Sequence, residues 1–212
     1  MALRTLVKIS GVNNLSDARY CAGMGVEMLG FCFEEGRSSF VSPEKYQEII
    51  AWISGVSFVG EFEEYSLEQM NEVLEAYPVH ILQIAREDVL QEIQRRSREA
   101  AITSLQVIVR IDFASHSPEY WQRFMEKYAD TVRYFLLEGA ETSLSDTQIE
   151  AIKLLSAQFP ILLGFGINSQ NVDTLLSESA LRGIALQGGE EIRPGYKDFD
   201  ALAEVLEAIE TD

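Results

Sequence analysis

Along the chain, short apolar runs rich in β-branched and aromatic residues alternate with longer stretches whose apolar positions recur every three to four residues. The first pattern predicts strands buried on both faces, and the second predicts amphipathic helices. On this reading strands fall at about 6–10, 27–33, 57–62, 79–84, 105–112, 133–138, 160–164 and 183–187. Helical segments lie between them at about 15–24, 43–53, 66–77, 86–98, 117–128, 145–157, 169–179 and 198–209. Four helix starts carry a hydroxyl residue followed by proline or an acid: Ser42-Pro43-Glu44, Ser66-Leu67-Glu68, Ser117-Pro118-Glu119 and Ser145-Asp146. Such a hydroxyl accepts a free backbone N–H of the first turn, where proline and acidic side chains are also favoured.

Eight strands alternating with eight helices, with no break in composition, predict an α/β fold of the (β/α)8 TIM-barrel type, as one domain over residues 1–212. A doubly wound open sheet is the other arrangement compatible with this alternation. Against it, the first βα turn, Ser10-Gly11-Val12-Asn13, lacks the glycine fingerprint of a dinucleotide fold. In a barrel the loops that follow the strands form the active face, so chemistry is sought there.

Composition narrows the partners. With 34 acidic against 17 basic residues the formal charge is -17, which opposes nucleic-acid binding because phosphates need clustered Lys and Arg. No stretch is long and apolar enough to span a bilayer, and the N-terminus lacks the regions of a signal peptide, so a cytoplasmic location without membrane association is expected. Cys21 and Cys32 read as buried thiols of a helix and a strand rather than a disulfide. Their spacing matches no metal site, so no metal is expected.

Several groups on the expected active face could carry chemistry. Gly166-Ile167-Asn168 after strand seven and Gly188-Gly189 after strand eight would expose backbone N–H groups to an anion, and these loops are the usual phosphate site of such barrels. Tight turns are the plain alternative, and the adjoining Glu190-Glu191 would oppose an anion. Asp112 ends strand five and Glu138 ends strand six, where a carboxylate can serve as general acid or base. Ion pairing with Lys8 or Arg110 is the structural alternative, and Glu61 is expected to pair with Lys8. Lys8 and Ser10 are two residues apart in one strand and share a face, toward the lumen or toward the helices. His116 lies in the loop after strand five, as a proton shuttle or a solvated residue, whereas His80 opens strand four at the far end and reads as structural. Cys32 could be a thiolate only if its surroundings lowered its pKa.

The residues from Lys8 to Ala18, Lys-Ile-Ser-Gly-Val-Asn-Asn-Leu-Ser-Asp-Ala, resemble the Lys-Ile-Cys-Gly opening of phosphoribosylanthranilate isomerases. Gly30-Phe31-Cys32-Phe33, Phe40-Val41-Ser42-Pro43-Glu44, Phe165-Gly166-Ile167-Asn168 through Val172, and Gly188-Gly189-Glu190 with Pro194-Gly195-Tyr196-Lys197-Asp198 resemble further motifs of that family, in the same order. The resemblance implies a (β/α)8 barrel of tryptophan biosynthesis that converts a phosphorylated aminoaldose to its ketose by an Amadori rearrangement, with no cofactor. It also implies a cysteine base at position 10, an aspartate acid after strand six, and a phosphate at the last two loops. Here the base position holds Ser10 and the acid aligns with Glu138. The arginine expected to hold the aromatic carboxylate falls at Ser39, with Arg37 two positions away.

Three functions follow as expectations. The chain is an isomerase of the family with lost or weak activity, resting on Ser10 and Glu138. Alternatively, it is a non-catalytic paralog that binds a phosphorylated metabolite or a protein. In the third reading it runs a different reaction on a phosphorylated ligand through Glu138, Asp112 and His116. Each is compatible with a monomer or a homodimer.

Overall fold

The computed structural model describes residues 2–98, 106–188, 190–193 and 196–211. Eight strands, β1 (Leu6–Ser10), β2 (Met28–Cys32), β3 (Ser57–Phe62), β4 (Ile81–Ile84), β5 (Gln106–Asp112), β6 (Tyr134–Glu138), β7 (Ile161–Leu163) and β8 (Gly183–Gln187), form a closed barrel in sequence order. All neighbours run parallel, and β8 returns to β1 with Leu6 opposite Gly183 and Ser10 opposite Gln187. The helices between them are α1 (Leu15–Gly23), α2 (Pro43–Ile50), α3 (Leu67–Leu74), α4 (Glu87–Arg98), α5 (Pro118–Tyr128), α6 (Asp146–Ser156), α7 (Val172–Glu178) and α8 (Asp200–Ala208). The fold is the expected TIM barrel rather than the open sheet.

The helix starts read from the hydroxyl residues are the observed ones. Ser42, Ser66, Ser117 and Ser145 are N-caps, and Ser66 and Ser145 each exchange bonds with a glutamine three residues on to make a capping box. The expected helix over 169–179 instead begins at Val172, because Asn168 Oδ1 accepts the N–H groups of Gln170 and Asn171 and holds the preceding residues as a loop. The sequence pattern also passes over two short strand pairs. Ala2–Leu3 pairs antiparallel with Glu210–Thr211 and joins the chain's two ends, and Glu190–Arg193 pairs with Tyr196–Asp198 beyond β8. Residue 105, expected in strand five, lies outside the described residues.

Alternation along each strand sorts the barrel into two cores. One set of positions faces the helices and joins the main core with Phe31, Phe33, Tyr46, Tyr128 and Phe135. The other faces the lumen, where Met28, Val59, Ile81, Ile108, Leu136, Leu162 and Ala185 make one apolar layer across seven strands. Two residues further along, the lumen changes character. The same faces then present Lys8, Gly30, Glu61, Gln83, Arg110, Glu138 and Gln187, and the barrel has a polar upper half above an apolar plug.

Candidate active site

The polar half opens into a cavity of about 400 Å³ at the carboxyl ends of the strands. Ser10, Cys32, Glu61, Gln83, Arg110, Glu138 and Gln187 reach it from seven of the eight barrel strands, while Arg37, Ser38, Ser39, Glu63 and Gly188 enter from loops. Expected candidates Ser10, Glu138, Arg37 and Gly188 are therefore brought together. Gln83 and Gln187 also line it, although neither is a site candidate on sequence grounds. Their signal is the i, i+2 step from the apolar lumen residues Ile81 and Ala185.

A buried ion pair stands beneath Ser10. Lys8, fully buried, donates through Nζ to Glu61 Oε1 at 2.5 Å and to Ser10 Oγ at 2.6 Å. Glu61 Oε2 accepts the Gly11 N–H at 3.1 Å, so both carboxylate oxygens have donors. The lumen, not the helix layer, is thus the face shared by Lys8 and Ser10. Gly30 makes the pair possible, because a Cβ there would lie 2.0 Å from Glu61 Oε1 and 2.9 Å from Lys8 Nζ. Ser10 keeps its own O–H for the cavity, since its oxygen is already the acceptor of an ammonium.

Across the cavity Arg110 Nε donates to Glu138 Oε2 at 2.5 Å, and its Nη1 lies 3.7 Å from Glu63 Oε1. Burial opposes the charge on Arg110, but the bond to Glu138 and the charge of Glu63 outweigh it and hold the guanidinium above its ordinary range. Arg37 is likewise surrounded, with Glu63 at 2.9 Å, Glu64 at 3.4 Å and Glu34 at 3.5 Å. Glu34 is almost fully buried, and its Oε1 accepts the N–H groups of Glu63, Glu64 and Tyr65, which ties the loop after β3 to the loop after β2. Cys32 offers no substitute for a thiolate base. Burial pushes its thiol up from the ordinary value, and Glu61 and Glu34 add in the same direction.

Other candidates are not brought to this cavity. The chain leaves β5 through a 3₁₀ turn at Phe113–Ser115, where Asp112 Oδ1 accepts the Ala114 N–H. His116 is exposed, stacked on Tyr120 at 4.0 Å between ring centroids and bonded to the Ser115 hydroxyl. Neither lines the cavity into which Glu138 opens. Nor do Gly166, Ile167 and Asn168 line it. The loop they occupy closes on itself: Asn168 N–H donates to Asn171 Oδ1, and Asn171 Nδ2 to the Gly166 carbonyl. Gly166 has φ +66°, and the Leu144 side chain occupies the space where a Cβ would project. Gly188 donates its N–H to the Ser10 carbonyl, and Gly189 lies outside the described residues. His80 behaves structurally, with Nδ1 accepting the Phe58 N–H.

Among the described residues no cluster of His, Cys, Asp or Glu could hold a metal ion, and no helix is long and apolar enough to cross a membrane.

Comparison with known proteins gives a consistent result. Residues 7–208 match the family model described as N-(5′-phosphoribosyl)anthranilate (PRA) isomerase. The N-(5′-phosphoribosyl)anthranilate isomerase of Syntrophus aciditrophicus is 26% identical over 211 residues, covering 97% of this chain and 87% of that protein. The phosphoribosyl anthranilate isomerase structure from Thermotoga maritima superposes with a TM-score of 0.75 at 22% identity, over 97% of this chain and 98% of that one. Another isomerase structure, solved in complex with reduced 1-(o-carboxyphenylamino)-1-deoxyribulose 5-phosphate, gives 0.73 at 23% identity, over 97% and 98% of the two chains.

Proposed function

The chain belongs to the N-(5′-phosphoribosyl)anthranilate isomerase family of tryptophan biosynthesis, and on that premise we propose that it takes a phosphorylated sugar at the barrel mouth while its isomerase activity on the family substrate is weak or lost. In the family reaction an acid protonates the sugar ring oxygen as the C1–O bond opens, and a base removes the proton from C2.

The observation that carries the proposal is the state of the two groups at those positions. Ser10 Oγ already accepts a bond from the Lys8 ammonium, and an unassisted hydroxyl is scarcely ionised at neutral pH, so it is a donor where the reaction needs an acceptor. Glu138 Oε2 is engaged by Arg110, and that oxygen would have to release a guanidinium before it could deliver a proton. Both departures act on the chemical step and leave the cavity intact. Phosphate binding is assigned to the loops after β7 and β8 through the backbone of Gly166, Ile167 and Gly189, because the N–H groups of Asn168 and Gly188 are engaged within the protein, and Arg37 is assigned to the ligand's anionic side. The relative solved with a deoxyribulose 5-phosphate derivative supports a phosphorylated ligand.

The test is growth and kinetics together. Expressed in a tryptophan auxotroph lacking the isomerase, this chain is expected not to restore growth. The purified protein should fall short of an ordinary isomerase by the ~10²–10⁴-fold that a positioned acid or base contributes. Full rescue at ordinary expression would overturn the weak-activity reading.

A further inference from the structure

We infer that Glu63 is a built-in placeholder: its carboxylate holds the place between Arg37 and Arg110 that a carboxylate of the ligand takes on binding. The inference rests on the phosphorylated-sugar reading above and adds a receptor for a second anionic group at the far end of the same ligand.

Glu63 enters the cavity from the loop after β3, and its two oxygens serve two different cations. Oε2 lies 2.9 Å from Arg37 Nη1, and Oε1 lies 3.7 Å from Arg110 Nη1. Arg37 comes from the loop after β2 and Arg110 from β5, so one carboxylate links guanidinium groups that separate parts of the barrel bring together. A planar group with two anionic oxygens suits that gap, because carboxylate and guanidinium match in shape as well as in charge.

Of the carboxylates around these two cations, Glu63 is the one free to leave the cavity. The Glu34 side chain is 2% exposed and its Oε1 accepts three backbone N–H groups. Glu138 is 15% exposed and receives Arg110 Nε at 2.5 Å. Glu64 touches Arg37 but does not line the cavity. Glu63, by contrast, is 42% exposed, and one of its two contacts lies beyond hydrogen-bond reach. Ion pairs exposed to that degree contribute little. Its backbone N–H stays bonded to Glu34, so departure needs only a side-chain rotation. A ligand carboxylate competes well for the vacated place. Once the phosphate is held at the loops after β7 and β8, the opposite end of the ligand meets the arginines at high effective concentration. The compound in the related isomerase structure carries such a group, a carboxyphenyl, at the end remote from its phosphate.

Isothermal titration of the full chain tests this with two probes that share a sugar phosphate. Reduced 1-(o-carboxyphenylamino)-1-deoxyribulose 5-phosphate carries a carboxylate, and ribulose 5-phosphate does not. Glu63→Gln removes the charge of the placeholder. It should tighten the carboxylate compound by about tenfold and leave ribulose 5-phosphate within about twofold. Adding Arg110→Lys to that variant keeps the positive charge but loses the planar fork, and should reverse the gain. Glu64→Gln is the control, since it removes an equal charge from Arg37 outside the cavity, and it should move neither probe by more than about twofold. Unchanged or weaker binding of the carboxylate compound in both Glu63→Gln and Glu63→Ala overturns the inference and leaves the phosphorylated-sugar reading standing. Equal tightening of both probes, or a Glu64→Gln effect as large as that of Glu63→Gln, overturns it as well, because general relief of negative charge would then be the cause. A gain that survives Arg110→Lys overturns the part assigned to Arg110. If neither probe binds the chain or its variants at millimolar concentration, the phosphorylated-sugar reading itself fails and the inference falls with it.

Discussion

At the scale of single residues, function turns on what each side chain is already bonded to. Ser10 is weak as a base for two reasons: its hydroxyl is intrinsically unreactive, and Lys8 donates to it at 2.6 Å. The same ammonium would favour an anion more acidic than an alkoxide. In Ser10→Cys we expect the new thiol to titrate below the ordinary value of about 8.5, because a neighbouring cation stabilises thiolate. The rate of iodoacetamide alkylation against pH measures this. Cys32 does not obscure it, since burial pushes that thiol upward and keeps it unreactive near neutral pH. An ordinary or raised value for the Ser10→Cys thiol would mean that Glu61, not Lys8, dominates the field at this position.

At the scale of elements, the barrel's strands cooperate through pairs that cross the lumen. Lys8 on β1 and Glu61 on β3 meet across β2, and β2 must supply a residue without a side chain where they do. Gly30 is that residue. Placing a methyl group there forces the buried pair apart, and breaking such a pair costs about 3–5 kcal/mol. Gly30→Ala is therefore expected to lower unfolding stability by about that amount in urea. Gly23→Ala is the control. A Cβ there meets nothing within 4 Å, and the change should be neutral or stabilising by up to about 1 kcal/mol. Equal stability of the two variants would show that the Lys8–Glu61 pair yields without cost.

For the molecule as a whole, charge is the dominant long-range term. A formal charge of -17 over 212 residues destabilises the compact state through self-repulsion. Many of the acids are paired on the surface, as Glu92 is with Arg95 and Arg96, but such exposed pairs contribute little. Raising ionic strength from about 10 mM to 150 mM shortens the Debye length from about 30 Å to 8 Å. The melting temperature should rise over that range, by a few degrees if repulsion is worth about 1 kcal/mol. A fall on adding salt would mean that the ion pairs outweigh the repulsion. The same excess of carboxylates lies around the mouth, where Glu34, Glu61, Glu63 and Glu138 stand among Lys8, Arg37 and Arg110.

The order of strands and helices, the barrel, the helix caps and the pairing of Lys8 with Glu61 were all legible in the sequence. Each depends on local periodicity, on a capping atom a few residues away, or on opposite charges placed in an apolar run. The family was legible too, because its motifs occupy the loops and strand ends in order. Which loops share a cavity was not legible, since closure of β8 on β1 brings together residues 177 positions apart, such as Ser10 and Gln187. The sequence left open whether Glu138 would act as an acid or pair with Arg110. Nor could periodicity tell that Asp112 would turn away to cap a 3₁₀ turn, or that the Asn168 N–H of the loop after β7 would be taken by Asn171. Those outcomes depend on competition among hydrogen-bond partners at distances of 2.5–3.2 Å. Only the closed barrel sets those distances.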